Sequence, residues 1–495
     1  MGRMRLQRLV EVSGQVAATG SRLAKRELIA GLLRDTPPEE LEIATAWLSG
    51  ALVQRRTGVG WRGLAELPEP ASEPRLELGE INDALDRLAG LAGPGSAAAR
   101  HALVQELFGA LTEPEQHYLR GLMTGNLRQG AQDSVVLDAI AEAAGVPGTV
   151  VRRAAMFSAP TGPVARAALT GGVEALAGFD LEVGRPVRPM LAASAPDVPA
   201  GAARVGGAFA VDTKLDGIRI QVHKHGDQIS VFTRSLDEIG DRLPTVVAAA
   251  RQLPARDLVL DGEALALDPA GRPRPFQETA SGMAELQPFF FDLLLHDDEP
   301  MLRRPARERL ERLDLVVAEE LRVRRLVTDS VAEATTFFHE TVGAGQEGVV
   351  LKRLDAPYDA GRRGSAWVKV KPRHTLDLVV LAVEWGSGRR RGWLSNIHLG
   401  ARNGDGFTML GKTFKGMTDE MLAWQTERFL SLETGREGHV VHLRPEQVVE
   451  VAFDGVQRSP RYPGGVALRF ARVLRYRDDK RADEADTLAA VRELM

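Results

Sequence analysis

The stretch Val211-Asp212-Thr213-Lys214-Leu215-Asp216-Gly217-Ile218-Arg219 sets a lysine among two carboxylates and an arginine. Lysine is scarce in this chain: nine of the 63 basic residues are lysine and the rest are arginine. An arginine keeps its proton in a protein, so it cannot be a nucleophile; a lysine can, once burial or neighbouring cations lower its pKa. Lys214 is therefore the candidate nucleophile. Alone, a Lys-x-Asp-Gly tetrapeptide is a weak signal and reads equally as a surface lysine beside a turn. Six further groups follow it in order. Arg234-Ser235 closes a strand, and Leu260-Asp261-Gly262-Glu263 sets a carboxylate inside one. Phe289-Phe290-Phe291-Asp292 is an aromatic run ending in an acid, and Glu347-Gly348-Val349-Val350-Leu351-Lys352 opens a strand with an acid. Trp367-Val368-Lys369-Val370-Lys371 alternates, so Lys369 and Lys371 share a face. Arg477-Asp478-Asp479-Lys480 lies near the C-terminus. Each group has a plain structural explanation: a core aromatic run, the polar face of an edge strand, a solvated charge run. Those explanations do not account for all of them in one chain.

The elements that must position these residues are legible in outline. Residues 1–185 read as helices. Thr112-Glu113-Pro114-Glu115 is a capping box before an apolar-periodic run, and Gly145 closes the run from Ser134 to Ala144. Ile43, Ala46, Trp47 and Leu52 suggest another buried helical face. The proline-rich stretch from Gly184 to Pro199 is expected to be a non-helical linker marking a domain boundary. Residues 186–375 alternate short strands with helices, an α+β pattern, and Asp216-Gly217 reads as a hairpin-type turn. Residues 376–495 return to short strands around one helix near 418–432, which suggests a small closed barrel.

The totals are those of an ordinary soluble globular chain, and 495 residues suggest about two to four domains. With no cysteine, disulfide frameworks, cysteine-zinc sites and cysteine nucleophiles are excluded, which fits a reducing cytoplasm. The charged N-terminus lacks an apolar leader, and no apolar run reaches membrane-spanning length. A net charge of −4 does not advertise a nucleic-acid binder, so such binding would need segregated charge. Segregated charge is present in residues 352–373, in Arg389-Arg390-Arg391 and in residues 458–481.

Taken in order, the lysine tetrapeptide and the first five of these groups resemble the motifs of the covalent nucleotidyltransferases, which include ATP-dependent DNA ligases, RNA ligases and capping enzymes. The run Leu468 to Lys480 looks specifically like a DNA-ligase signature, and Leu127-Arg128-Gln129-Gly130 resembles an arginine-glycine element of ligase DNA-binding domains. The resemblance covers nearly the whole chain. It implies a multidomain protein: an all-α DNA-binding domain at 1–185, an α+β adenylation domain at 186–375 and a β-barrel OB-fold domain at 376–495. It implies nick sealing in duplex DNA through a lysyl-AMP on Lys214 and a DNA-adenylate, joining 3′-hydroxyl to 5′-phosphate. Such enzymes serve replication, repair and recombination.

By motif position, Asp212, Arg219, Arg234, Glu263, Phe291, Arg363, Lys369 and Lys371 would bind the nucleotide. In this role Phe291 stacks on adenine, and Arg219 and Arg234 contact the ribose or the nick phosphate. Glu263 and Glu347 would hold Mg²⁺, with Mn²⁺ as a substitute. Arg477 and Lys480 would orient the pyrophosphate leaving group, a role that requires the last domain to swing about a hinge near Pro372-Arg373-His374. Arg128, Gly130, Arg389, Arg390 and Arg391 would contact DNA. Many relatives carry glutamate where this chain has Asp212. The expected partner is nicked double-stranded DNA, with no membrane, for a monomer at the nucleoid; a sliding clamp is a further candidate partner. An RNA-directed relative would leave the helical region unexplained, and an NAD-dependent ligase would carry a cysteine-zinc site. A catalytically silent clamp would show broken motifs, and these are intact.

Overall fold

The computed structural model describes residues 3–54, 56–127, 129–130, 133–158, 160–268, 273–274, 285–361 and 363–495. The side chains of Arg363 and Arg389 lie outside that description. The chain divides into two compact units. One comprises Met1–Ala192, Asp216–Arg324 and Arg353–Gly364; the other comprises Ala193–Leu215, Arg325–Lys352 and Ser365–Met495. The division falls inside the lysine stretch, between Leu215 and Asp216.

The first unit begins with the expected helices, from Leu6–Ala18 to Gly162–Ala177. They bury Leu6, Leu9, Leu32, Trp47, Phe108 and Ile140 in one core. Helix Glu113–Met123 starts at the Thr112 capping box, with the Glu115 carboxylate accepting the Thr112 N–H at 2.9 Å. Helix Asp133–Ala144 ends at Gly145, whose φ of 65° is the left-handed cap conformation. The same unit carries an antiparallel sheet in the order Gln228–Thr233, Ile218–His225, Asp257–Leu265, Gln287–His296, Glu299–Pro300. One face packs Ile220, Val222, Leu260, Phe290 and Leu293 against helices Pro244–Arg251 and Ala306–Val316. The other face is polar. Alternation sends Phe290 into the core, while Phe289 and Phe291 are half-buried. A register shift opposite Asp261 and Gly262 inserts Phe291 as an extra residue in its strand, a bulge of the kind that re-aims a side chain.

In the second unit a sheet runs in the order Leu191–Ala195, Arg363–Val370, Gly348–Arg353, Phe209–Lys214, Arg325–Thr328. Val211, Val349, Leu351, Val368 and Val370 pack against helices Val198–Val205 and Val331–Gly343. Two expectations are corrected here. Phe209–Lys214 and Ile218–His225 belong to different sheets, so Asp216-Gly217 is not a hairpin turn. Gly217 is needed for a different reason: a Cβ there would lie 2.4 Å from the Ala264 carbonyl oxygen. The proline-rich stretch also contains a strand and a helix. Asp197 caps Val198–Val205 by accepting from the Ala200 N–H at 2.8 Å, and Pro199 occupies the first turn, where no donor is lost.

The remaining strands of the second unit are organised on His374–Trp385, which pairs antiparallel with Leu394–Asn403, Val440–Leu443 and Val448–Phe453. Helix Asp419–Ser431 contributes Leu422 and Phe429 to the core beneath. The expected closed barrel is not drawn as a continuous ladder: among the described residues, no strand pairing joins the edges of this sheet. Near the C-terminus, strands Val466–Arg469 and Arg472–Tyr476 are separated by a break at Phe470, whose φ is 55°.

Candidate active site

The polar face of the second unit's sheet carries Lys214, the candidate nucleophile. Val211 points into the core, so Asp212 and Lys214 alternate to the opposite face. Lys214 is about a quarter exposed (24 %) and its Nζ is ion-paired with Glu347. The Glu347 N–H donates to the Lys214 carbonyl at 3.2 Å, so the two backbones are joined as well. Glu347 is shared, because its other oxygen pairs with Lys371. Lys371 also reaches Asp454 at 3.1 Å. Burial pulls the Lys371 ammonium down, but the Glu347 and Asp454 carboxylates outweigh it and leave its pKa above the ordinary lysine value. Lys369 lies on the same sheet, in register with Val350.

Asp212 lies deeper, 2 % exposed, and both its oxygens are engaged. Arg325 grips it from the neighbouring strand with Nε at 2.6 Å and Nη2 at 3.0 Å, and Lys352 pairs with it at 2.7 Å. Burial raises the Asp212 pKa, yet these two cations reverse the effect and hold it below the usual carboxylate range. Lys352, itself buried, lies 4.4 Å from the centroid of the Trp367 ring.

The polar face of the first unit's sheet holds the next group. Glu263 accepts the Gly217 N–H at 3.1 Å and is in register with Arg219. Arg219 makes a two-pronged contact with Asp261 at 3.0 and 2.6 Å, and its guanidinium lies 5.5 Å from the Phe291 ring centroid. Burial disfavours its charge, and Asp261 more than restores it, so its pKa is raised further. Arg234 is exposed in the turn after Gln228–Thr233.

Arg477 and Lys480 converge on one acid of the second unit: Asp377 receives Arg477 at 3.0 Å and Lys480 at 2.7 Å. Asp479 holds Arg477 from its other side at 2.7 Å. The expected hinge near Pro372-Arg373-His374 to Asp377 lies between strands Arg363–Val370 and His374–Trp385 and runs into the start of the second.

Of the expected DNA-facing residues, Arg128 lies outside the described residues. Gly130 has a φ of 67°, and the Lys25 Nζ donates to the neighbouring Gln129 carbonyl at 3.0 Å. Arg391 is exposed, and Arg390 lies 5.9 Å from the Phe414 ring centroid. Sequence reasoning missed Arg325, Asp377 and Tyr358. Tyr358 is one of only four tyrosines in the chain, which was its single signal.

Comparisons with known proteins bear on the whole chain. Three family descriptions match the chain: "ATP dependent DNA ligase domain" at 189–371, "ATP dependent DNA ligase C terminal region" at 390–480 and "DNA ligase N terminus" at 66–141. A "Probable DNA ligase" of Beutenbergia cavernae is 63% identical over 510 residues, covering 99% of both chains. The chain belongs to the ATP-dependent DNA ligase family. A second relative, the "Probable DNA ligase" of a Nocardioides species, is 60% identical to this ligase over 98% of both chains. The solved structure titled "Pmar-Lig_PreS3" shares the fold, with a TM-score of 0.65 at 18% identity over 95% of this chain and 99% of that one. The ligase seals nicks in DNA at the expense of ATP. Its fold combines a helical N-terminal region, a nucleotidyltransferase region and a C-terminal β region. Among the described residues, no helix is long and apolar enough to cross a membrane.

Proposed function

We propose that Lys214 is the residue through which this ligase seals nicks. Its Nζ attacks the α-phosphate of ATP, pyrophosphate leaves, and AMP remains as a phosphoramidate. The AMP passes to the 5′-phosphate of the nick, the 3′-hydroxyl attacks that phosphate, and AMP departs. The observation that carries this reading is Glu347, which holds the nucleophile and Lys371 together. The amine must be neutral to attack, and Glu347, already bonded to Nζ, is the acceptor in place for the departing proton. Lys369 and Lys371 answer the charge that develops on the transferring phosphoryl group.

Arg219 and Arg234 take the ribose or the nick phosphate, Arg363 takes a nucleotide phosphate, and Phe291 stacks on adenine. Asp212 serves the nucleotide through the cations it holds, Arg325 and Lys352, because its own oxygens are occupied. Glu263 and Glu347 are hard oxygen donors, and among the described residues no three acidic or histidine side chains group into a metal cage. That donor set suits Mg²⁺ or Mn²⁺ held mainly by the triphosphate and water, with one or two protein carboxylates. When bound, the ion would neutralise charge on the leaving pyrophosphate.

The functional division we infer is a DNA-binding domain at 1–185, an adenylation domain at 186–375 and an OB-fold domain at 376–495. For the last, support comes from two bonds that link opposite edges of its sheet: Val473 N–H to the Lys415 carbonyl at 2.9 Å and Thr413 Oγ1 to the Ala471 carbonyl at 2.6 Å. The substrate is nicked duplex DNA, gripped by a monomer through Arg128, the Gly130 turn and Arg389 to Arg391. Incubation with α-labelled ATP and magnesium, then a denaturing gel, tests the central claim. Wild type retains label that maps to Lys214, and Lys214→Ala retains none. Label persisting in folded Lys214→Ala removes Lys214 from the mechanism.

A further inference from the structure

Tyr358 belongs to none of the motifs discussed above, yet it is almost fully buried, at 3 % exposure, in the middle of the first unit's polar network. Its hydroxyl donates to Asp261 Oδ2 at 2.6 Å. The same oxygen accepts from the Met190 N–H at 2.9 Å and from Arg219 Nη2 at 3.3 Å. One donated and two accepted bonds match what a phenol can make. Asp261 is thereby gripped from two sides, by Arg219 and by Tyr358. The Met190 backbone closes the ring, because its carbonyl accepts Arg219 Nη1 at 2.7 Å. Arg219 therefore meets a carboxylate, a phenol and a carbonyl at once, and its guanidinium has little freedom to turn.

The ring is itself held in place. Tyr358 N–H donates to the Leu302 carbonyl at 2.8 Å, and Gly361 N–H to the Pro189 carbonyl at 3.2 Å. Behind the phenol lies Arg309, wholly buried against Asp292 at 2.8 Å, with its guanidinium 5.9 Å from the Tyr358 ring centroid. Met190 ends the segment that follows the helical region, and that segment is fastened along its length. Val187 exchanges two bonds with the Gln221 amide, and Arg188 N–H donates to the Met156 carbonyl at 3.0 Å. Burial, then Asp261, push the phenol well above its ordinary pKa, so it keeps the proton it donates.

We infer that Tyr358, with the Met190 backbone, is a positioning residue for Arg219: it fixes the guanidinium through Asp261 and ties its placement to the segment joining the helical region to the sheet. The inference rests on the reading that Arg219 meets the ribose or the nick phosphate. Misplacing a charged group at a phosphoryl-transfer site slows the step it serves without removing the chemistry.

The test is a double-mutant cycle on Tyr358→Phe and Arg219→Ala, with three rates read separately: enzyme-adenylate formation, AMP transfer to a nick, and sealing of a pre-adenylated nick. Tyr358→Phe should slow the same step as Arg219→Ala, by about tenfold, consistent with one lost hydrogen bond and a loosened charge. The double variant should be no slower than Arg219→Ala alone. Multiplying effects, or a loss spread equally over all three steps, overturn the positioning role and leave Tyr358 a packing residue. An Arg219→Ala enzyme as fast as wild type in every step overturns the Arg219 reading itself, and this inference with it. If Tyr358→Phe fails to fold, Asp261→Asn enters the same cycle, with the same two patterns deciding.

Discussion

At the scale of single residues, the lysine stretch makes two kinds of ionic contact. Lys214 and Glu347 remain partly exposed, as the roles proposed for them require. Asp212 is sealed beneath them between Arg325 and Lys352, where no water can replace a lost partner. Removing one member of a buried charge group leaves the others uncompensated, which costs about 3–5 kcal/mol. Asp212→Ala should therefore destabilise the second unit by about that amount, read as a lowered midpoint in urea unfolding. Arg325→Met in the Asp212→Ala background should recover part of the loss, because both ends of one pair are then apolar. An unchanged midpoint in Asp212→Ala would mean that these charges are not interdependent. Asp212 was legible as a candidate from its place two residues before Lys214. Its clasp was not, because Arg325 faces Asp212 across paired strands from 113 residues away, and sheet order rather than spacing brings them together.

At the scale of elements, alternation was the reliable guide. It set Val368 and Val370 behind Lys369, but it could not foresee the bulge that re-aims Phe291. It could not say which strands share a sheet, and for that reason Asp216-Gly217 reads as a hairpin without being one: local turn chemistry is the same whether the chain doubles back or crosses to another sheet. The glycines of the motifs carry the missing information. Gly217 lies against the Ala264 carbonyl, and Gly348 has a φ of 144°, where a methyl carbon would lie only 2.2 Å from the Val370 carbonyl oxygen. Gly348 directly follows Glu347, and Gly217 lies three residues after Lys214, so each sits beside a residue of the proposed site. Gly348→Ala combines a backbone conformation closed to side chains with a backbone clash, and should cost about 1–3 kcal/mol. Its adenylation rate should fall further than its thermal midpoint alone explains, because Glu347 is displaced against Lys214. Normal adenylation in folded Gly348→Ala would show that the close approach serves packing only.

At the scale of the whole molecule, a net charge of −4 is compatible with DNA binding because charge is used locally. The same economy bears on Arg477 and Lys480. Both are held on Asp377, which lies in strand His374–Trp385, at the end of the proposed hinge. Cations committed to a carboxylate cannot at the same time orient a pyrophosphate, so the leaving-group role expected of them would require that they exchange Asp377 for the leaving group during adenylation and return afterwards. A residue needed only while pyrophosphate leaves should show its loss in one step alone. Lys480→Ala should slow enzyme-adenylate formation by about a hundredfold, the scale of one preorganised donor removed from a developing charge. Sealing of a pre-adenylated nick by the same variant should proceed at the wild-type rate, since no pyrophosphate is made in that step. Single-turnover rates for the two reactions, measured side by side, check this. Equal slowing of both would place Lys480 on the DNA rather than on the leaving group, and would remove the reason for the last domain to swing.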